Sequence, residues 1–236
     1  MFEAALRYPT SGEKAVERLL VGGVLLLLSV FVLPVFVVYG YLVRSLAAVA
    51  AGEDEPPAFD EWGELFVDGL EAFVVSFVYG IVPAALVVAF LVPVSVGTAV
   101  DGDGSSGILA GIGAIALLAS VFVGLVVAYV IMAALSNFAV EGRIGAAFDF
   151  GAIGRLATSE PYVIAIVLAI VVQVVVGAAI FAAVVFTLGL ALLVLVPLGA
   201  FINFWTYLVT VYLFGDAYRQ AMGPGDEQRE LSDVSA

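Results

Sequence analysis

The hydrophobic and polar positions of this chain form long apolar runs separated by short polar segments. The runs cover residues 19–51, 70–96, 108–140, 161–186 and 190–214. As a helix, about 20 apolar residues suffice to cross the apolar core of a bilayer. The pattern therefore predicts an all-α fold, an integral membrane helical bundle whose membrane domain covers residues 19–222.

The first run allows two interpretations. Its 33 residues would form either one helix of about 50 Å, well beyond an apolar core of about 30 Å, or two short helices that break near Leu33 and Pro34. Hydropathy does not distinguish them, but Lys and Arg near membrane segments favour the cytoplasmic side. A break at Pro34 places all eight basic residues on one side, whereas a single crossing divides them. We therefore predict about six hydrophobic helical segments with both termini cytoplasmic.

The first two of these segments are short. Each arm of the hairpin at Pro34 has about 16 residues, which is at or below the lower limit for a full crossing. A re-entrant hairpin is therefore an alternative to two complete crossings.

An acidic and amphipathic segment follows the first hairpin. Its apolar positions recur at steps of three and four residues and alternate with carboxylates. The apolar positions are Phe59, Trp62, Leu65, Phe66, Leu70 and Phe73, and the carboxylates are Asp60, Glu61, Glu64, Asp68 and Glu71. The spacing predicts an amphipathic helix that starts after Pro56-Pro57 and lies in the cytoplasmic interface. Its aromatic side chains, Phe59, Trp62, Phe66 and Phe73, are the candidate interfacial and docking residues, expected at the headgroup boundary or against helix ends.

Two terminal segments and an internal repeat complete the predicted organisation. Residues 1–18 form an N-terminal interfacial segment, and the acidic residues 223–236 have too few apolar side chains to fold, so we expect them to be disordered. A shift of 89 residues aligns Ala58-Phe59-Asp60 with Ala147-Phe148-Asp149. The match suggests two parallel half-repeats, about 19–96 and 108–186, before a final span over 190–214. Parallel repeats occur in transporters, but folds of this kind also serve proteins that transport nothing.

Composition supports the membrane prediction and limits the partners. The 236 residues are 64% hydrophobic, with a mean hydropathy of +1.19. The 21 acidic residues against 8 basic ones give a net charge of −13, which argues against a nucleic-acid partner. Such acidity, with Lys14 as the one lysine, is typical of proteins from halophiles that accumulate salt. We therefore expect a halophilic protein that is embedded in the lipid bilayer, which is its main predicted partner.

Several chemistries are excluded by missing residue types. The chain has no cysteine and no histidine, which excludes thiolate nucleophiles and His-ligated metals. The acidic run Glu53-Asp54-Glu55 matches no dedicated cation-binding loop and is interpreted as a solvated surface. We predict no catalytic residues, no cofactor and no metal site.

Charged residues are absent from the apolar runs away from their ends. This absence disfavours proton relays and sites for charged substrates. Gln173 and Asn203, on the last two runs, are the candidate intramembrane polar residues. They would either form a hydrogen bond between helices or contact a solute.

Two stretches carry a family resemblance. The sequences GYLVR at Gly40–Arg44 and GEDEPPAFDEW at Gly52–Trp62 resemble an uncharacterised family of archaeal and bacterial multi-pass membrane proteins that carries a domain of unknown function and is abundant in haloarchaea. Matching segments are Arg7–Pro9, Asn137–Ala139, Gly145–Asp149 and Gly215–Arg219. The resemblance implies a six-helix type of membrane domain without an established activity.

Two classes of function remain. The favoured one is a non-enzymatic membrane scaffold whose cytoplasmic amphipathic segments dock a protein partner. The alternative is a carrier or pore for an uncharged or lipidic solute, with Gln173 and Asn203 as its site. An intramembrane enzyme is the least favoured class, because no residues suited to catalysis stand out.

Overall fold

The computed structural model describes residues 1–100, 106–187, 189 and 192–223. The described residues form eight α-helices: α1 Phe2–Arg7, α2 Ala15–Leu27, α3 Leu33–Ala50, α4 Trp62–Val100, α5 Ser106–Glu141, α6 Phe150–Ala157, α7 Glu160–Phe186 and α8 Leu192–Met222. Short 3-10 helices cover Tyr8–Thr10, Leu28–Phe31 and Ile144–Phe148. The predicted disordered tail lies outside the described residues from position 224 onward.

Five helices in the described part of the chain are long and apolar enough to cross a membrane. Their candidate spans are Leu33–Ala50, Trp62–Ala89, Gly113–Glu141, Glu160–Phe186 and Pro197–Met222. The prediction of a helical membrane bundle is therefore confirmed. The chain divides into two compact units, one of Met1–Phe73 with Ala133–Ala236 and the other of Val74–Met132.

Residues 19–51 form two helices and not one. α2 ends at Leu27, Val32 has a φ of 67°, and α3 begins with Pro34 in its first turn, where proline is well tolerated. Ser11, before α2, donates a hydrogen bond from Oγ to the carbonyl of Asp54, after α3, at 3.1 Å. The outer ends of the two helices therefore meet, and the predicted hairpin near Pro34 is confirmed.

The hairpin is short and its tip is apolar. α2 has 13 residues and is about 20 Å long, less than an apolar bilayer core of about 30 Å. The tip residues, Val30, Phe31, Val32 and Leu33, are between 60% and 79% exposed. The length of α2 and this tip fit the re-entrant alternative, since an exposed apolar turn is better placed in lipid than in water, whereas α3, with 18 residues, is by itself long enough to cross.

The amphipathic segment after Pro57 is continuous with the following apolar helix. α4 begins at Trp62 and runs through this segment without a break, because no proline follows Pro57 until Pro83. It is therefore the start of a long helix and not a separate interfacial helix. The helix also extends past the expected end of its span, to Val100.

A separate amphipathic helix does occur later in the chain. α6 has 8 residues and buries Ala152, Ile153 and Leu156. The Asp149 carboxylate caps its start by accepting hydrogen bonds from the backbone N–H groups of Gly151 and Ala152, each at 3.0 Å, which satisfies donors that lack a partner within the helix.

The central helix of the first unit is α8. It contacts α1, α2, α3, α6 and α7 and buries Phe204, Leu208 and Leu213 completely. A Cβ on Gly22 of α2 would overlap the ring of Phe204. The absence of a side chain at this position therefore allows α2 to pack closely on α8.

Candidate functional site

The loops and helix ends at one end of the first unit are joined by hydrogen bonds. The Tyr8 hydroxyl, which is buried, donates to the carbonyl of Ser45 at 3.4 Å, and the ring of Tyr8 lies 5.0 Å from that of Tyr212. Burial raises the pKa of the Tyr8 phenol above its usual range, with Tyr41 adding to the effect and Arg18 opposing it. Tyr8 is therefore a neutral donor that ties the N-terminal segment to α3.

A second set of hydrogen bonds joins the C-terminal helix to the loop after α5. The Tyr218 hydroxyl donates to Oδ1 of Asn137 at 3.1 Å, and Nδ2 of Asn137 donates to the carbonyl of Ala146 at 2.9 Å. All three residues are buried. We call these joined loops and helix ends the polar end of the first unit. It holds Arg7, Lys14, Arg18, Arg44, Arg143, Arg155 and Arg219.

Arg44 near the end of α3 binds carboxylates at the start of α4. Its Nη1 lies 2.9 Å from Glu61 Oε2, its Nη2 3.1 Å from Glu64 Oε2 and its Nε 3.2 Å from Asp68 Oδ2. Its side chain is 23% exposed. The guanidinium thus joins the two helices through carboxylates of the amphipathic segment, and it forms no ion pair with Glu53, Asp54 or Glu55.

Three of the four candidate docking aromatics pack against α3. The ring of Phe59 stacks on Tyr41 with centroids 3.8 Å apart and an interplanar angle of 7°. Phe66 and Phe73 meet the ring of Phe36 edge to face, at 5.5 Å and 5.4 Å. The apolar face of the segment thus serves mainly to hold α4 against α3.

Trp62 is the most exposed of the four aromatics, ahead of Phe73, which is 43% exposed. It stacks on Phe59 at 5.9 Å and still leaves 48% of its surface exposed. Of the four candidates it is therefore the one best placed to contact a partner or the headgroups of a bilayer.

The two candidate intramembrane polar residues do not hydrogen-bond to each other. Asn203 is exposed and donates from Nδ2 to the carbonyl of Gly199 in its own helix at 2.7 Å, while Gln173 lies exposed on α7. An apolar cavity of about 300 Å³ near them is lined by Leu19, Val176, Phe201, Ile202 and Trp205. Neither polar residue lines it, so it gives no support to their role as a solute site.

Asp216 is a buried charged residue that the hydrophobic pattern did not single out. It is 3% exposed and accepts hydrogen bonds from Arg219 and, at 2.9 Å, from Nε2 of Gln220. The spacing of three and four residues on one helix was the available signal. Because both partners lie on α8 itself, Asp216 fits a structural role at the end of this helix.

A comparison with known protein families matches the part of the chain that holds most of these residues. A family model described as "Protein of unknown function (DUF4013)" matches residues 24–186, which include Arg44, Trp62 and Gln173 but not α8. No curated protein and no solved structure matches the chain. Because the matched region is more than half of the sequence, the chain belongs to this family of unknown function, DUF4013.

Proposed function

We propose that this protein is a non-enzymatic membrane scaffold that docks a protein partner on an acidic surface at the polar end of the first unit. The acidic surface consists of Glu53, Asp54, Glu55, Asp60, Glu61 and Glu64, all exposed. The observation that carries the proposal is its uncompensated charge. Arg44 pairs with the last three of these carboxylates, and in the described residues no ion pair includes Glu53, Asp54 or Glu55.

The charge of this surface specifies the kind of partner. A partner segment rich in Lys and Arg would be complementary to it, and complementary charge favours fast and selective association. Trp62 at the border of the surface supplies an apolar anchor, since tryptophan is enriched among the residues that contribute most of the binding energy once a partner buries them. The acidic surface and Trp62 together form the proposed docking site.

The proposed orientation places this site in the cytoplasm of a halophilic archaeon. Seven of the eight basic residues lie at the polar end, and such residues favour the cytoplasmic side of a membrane. Both termini would then be cytoplasmic. The net charge of −13 supports a high-salt cytoplasm, where carboxylates keep a surface hydrated and self-repelling.

Two parallel half-repeats would give this scaffold two related loops at the polar end, one after α3 and one after α5. Pro57 and Ala146 are 89 positions apart, and each carbonyl accepts a hydrogen bond from a side chain of the preceding helix. The donors are Tyr41 Oη at 2.9 Å and Asn137 Nδ2 at 2.9 Å. The two acceptors correspond under the shift of 89 residues, whereas the two donors are 96 positions apart, so only the acceptor positions support the repeat proposed from the sequence.

The test is capture of a companion from native membranes in high salt. We expect the wild-type protein to retain a stoichiometric companion with a basic cytoplasmic segment, and the double variant Glu53→Gln/Asp54→Asn to lose it. Glu17→Gln/Glu160→Gln removes the same charge from exposed positions outside the surface and should retain it. Equal retention by both variants, or no companion at all, would overturn the docking proposal, and the second result is the one that a carrier predicts.

A further inference from the structure

The two helices of the first hairpin each carry one arginine, and these arginines limit how much of the hairpin can enter a bilayer. Arg18 in α2 donates hydrogen bonds to loop carbonyls, and Arg44 in α3 pairs with carboxylates of α4. Both lie at the polar end, as does the part of α3 after Arg44, since an arginine is costly within an apolar core. The helical residues that remain on the apolar side are 19–27 and 33–43. These segments are about 14 Å to 17 Å long, about half of an apolar core of about 30 Å, which is the depth of one leaflet.

The contact between α3 and α4 gives the same depth for the tip of the hairpin. A Cβ on Gly69 of α4 would overlap the backbone carbonyl of Phe36, and Gly69 lies between Asp68 and Glu71. Because such carboxylates stay near the water boundary, Phe36 is close to that boundary. Phe36 follows Leu33, the first residue of α3, by three positions, or about 5 Å of helix. The tip therefore ends within the first leaflet.

The tip is apolar and needs a cover that the protein does not supply. Val30, Phe31, Val32 and Leu33 are between 60% and 79% exposed, and at this depth the acyl chains of one leaflet cover them. The four later candidate spans have 26 to 29 residues, or about 39 Å to 44 Å of helix, which is longer than the whole apolar core. Among these described segments, the hairpin alone adds volume to a single leaflet.

We propose that this hairpin is a wedge in the leaflet next to the polar end and directs the protein to membranes that are convex on that side. Convex bending spreads the lipids of that leaflet and exposes apolar gaps between their headgroups, and an inserted apolar element covers such gaps. The preferred partner is therefore a bilayer surface of high curvature. This preference is separate from the proposed docking function, because the tip and the acidic surface have no residue in common.

The experiment measures the purified full-length protein on membrane tubes pulled from giant vesicles. A cysteine in place of Glu13, at the polar end, is labelled after reconstitution with an impermeant dye, so that only molecules with the polar end outward are counted. We expect their density, relative to a lipid dye, to be higher on the tube than on the vesicle, because the outer leaflet of the tube is convex. A cysteine in place of Thr187, after α7, reports the opposite orientation and should be depleted on the tube. Any result in which the molecules with the polar end outward are not the more enriched of the two overturns the proposal.

Variants of the tip show whether the hairpin is the cause of this enrichment. We expect Val30→Ser/Phe31→Ser, which makes the tip polar, to reduce the enrichment of molecules with the polar end outward. The matched control, Val174→Ser/Phe181→Ser, changes the same two residue types on α7, where they are 62% and 70% exposed, and it should be enriched like the wild type. Unchanged enrichment of the tip variant, or an equal loss in the control, would refute the wedge. No companion protein is present in this assay, so its result is independent of the docking test.

Discussion

Gly40 on α3 and Gly69 on α4 bring the backbones of the two helices into contact. A Cβ on Gly69 would lie 2.8 Å from the backbone nitrogen of Gly40, and a Cβ on Gly40 would lie 3.0 Å from the backbone nitrogen of Gly69. The second Cβ would also lie 2.7 Å from the carbonyl carbon of Leu65. Neither backbone can yield locally, so any side chain at either position must separate the helices.

Gly40→Ala and Gly69→Ala should therefore destabilise the protein, even though alanine has the higher helix propensity. We expect each to lower the free energy of unfolding by about 1–3 kcal/mol, the usual cost of overpacking, as measured by thermal or denaturant unfolding in detergent. Gly63→Ala, also on α4, meets nothing within 4 Å and should be neutral or slightly stabilising. A similar loss at all three positions would show that helix contact is not the cause.

Arg44→Ala should loosen α4 from α3 and leave four neighbouring carboxylates, those of Asp60, Glu61, Glu64 and Asp68, without their cation. Because these carboxylates are largely exposed, we expect a loss of about 1–2 kcal/mol in dilute buffer, below the value for a buried network. Arg44→Lys should not restore stability, since an ammonium cannot bind three carboxylates in the geometry of a guanidinium. Arg143→Ala, which removes one exposed ion pair with Glu141, should change stability by less than about 0.5 kcal/mol.

Salt adds a second measurement for the same variants. Raising salt from 0.1 M to 1 M shortens the reach of charge repulsion from about 10 Å to about 3 Å. We expect the wild-type protein to melt at a higher temperature in molar KCl, because its carboxylates far outnumber its cations. Arg44→Ala should gain more than the wild type does. An equal melting temperature of the wild type in both buffers would contradict the halophilic interpretation.

Phe59→Ala should open the loop between α3 and α4 to proteolysis, because its ring stacks between those of Tyr41 and Trp62. Burial of such a side chain contributes about 1.5–3 kcal/mol, enough to loosen the loop without unfolding the bundle. A Glu-specific protease added to vesicles with the polar end outward should cut after Glu53 faster than in the wild type, while the bond after Glu55 resists because Pro56 follows it. Trp62→Ala should have a smaller effect, and Phe150→Ala, at a residue 70% exposed, none on this loop.

Cysteine labelling in intact cells tests the proposed orientation, and the chain has no native cysteine to interfere. Cysteines that replace Glu13, Thr158 or Gln220 should be shielded from an impermeant thiol reagent, while one that replaces Thr187, after α7, should react. Labelling at Glu13 alone would place the N-terminus outside.

The depth of the first hairpin is tested with the same reagent. A cysteine in place of Phe31 should stay unlabelled from both sides of the membrane, because a tip reached by a helix of about 20 Å ends within the apolar core. Labelling from outside would show that the hairpin crosses completely.

The sequence by itself determined the class of protein and the approximate positions of its apolar helices. Runs of apolar residues predict membrane helices because the backbone must satisfy its own hydrogen bonds in lipid. The break near Pro34 also followed from the sequence, since one helix over residues 19–51 would be too long and would divide the basic residues. Those arguments use chain length and charge, which do not depend on how helices pack.

The tertiary structure alone decided which faces meet. Apolar side chains surround most of these helices, so hydrophobicity does not show which side of a helix faces a neighbour and which faces lipid. The contact of Gly40 with Gly69, the ion pairs of Arg44 and the hydrogen bond of Arg18 to Pro56 all join residues that are 16 or more positions apart. Such contacts depend on the shape and charge of two surfaces at once, whereas a periodic pattern reports on only one.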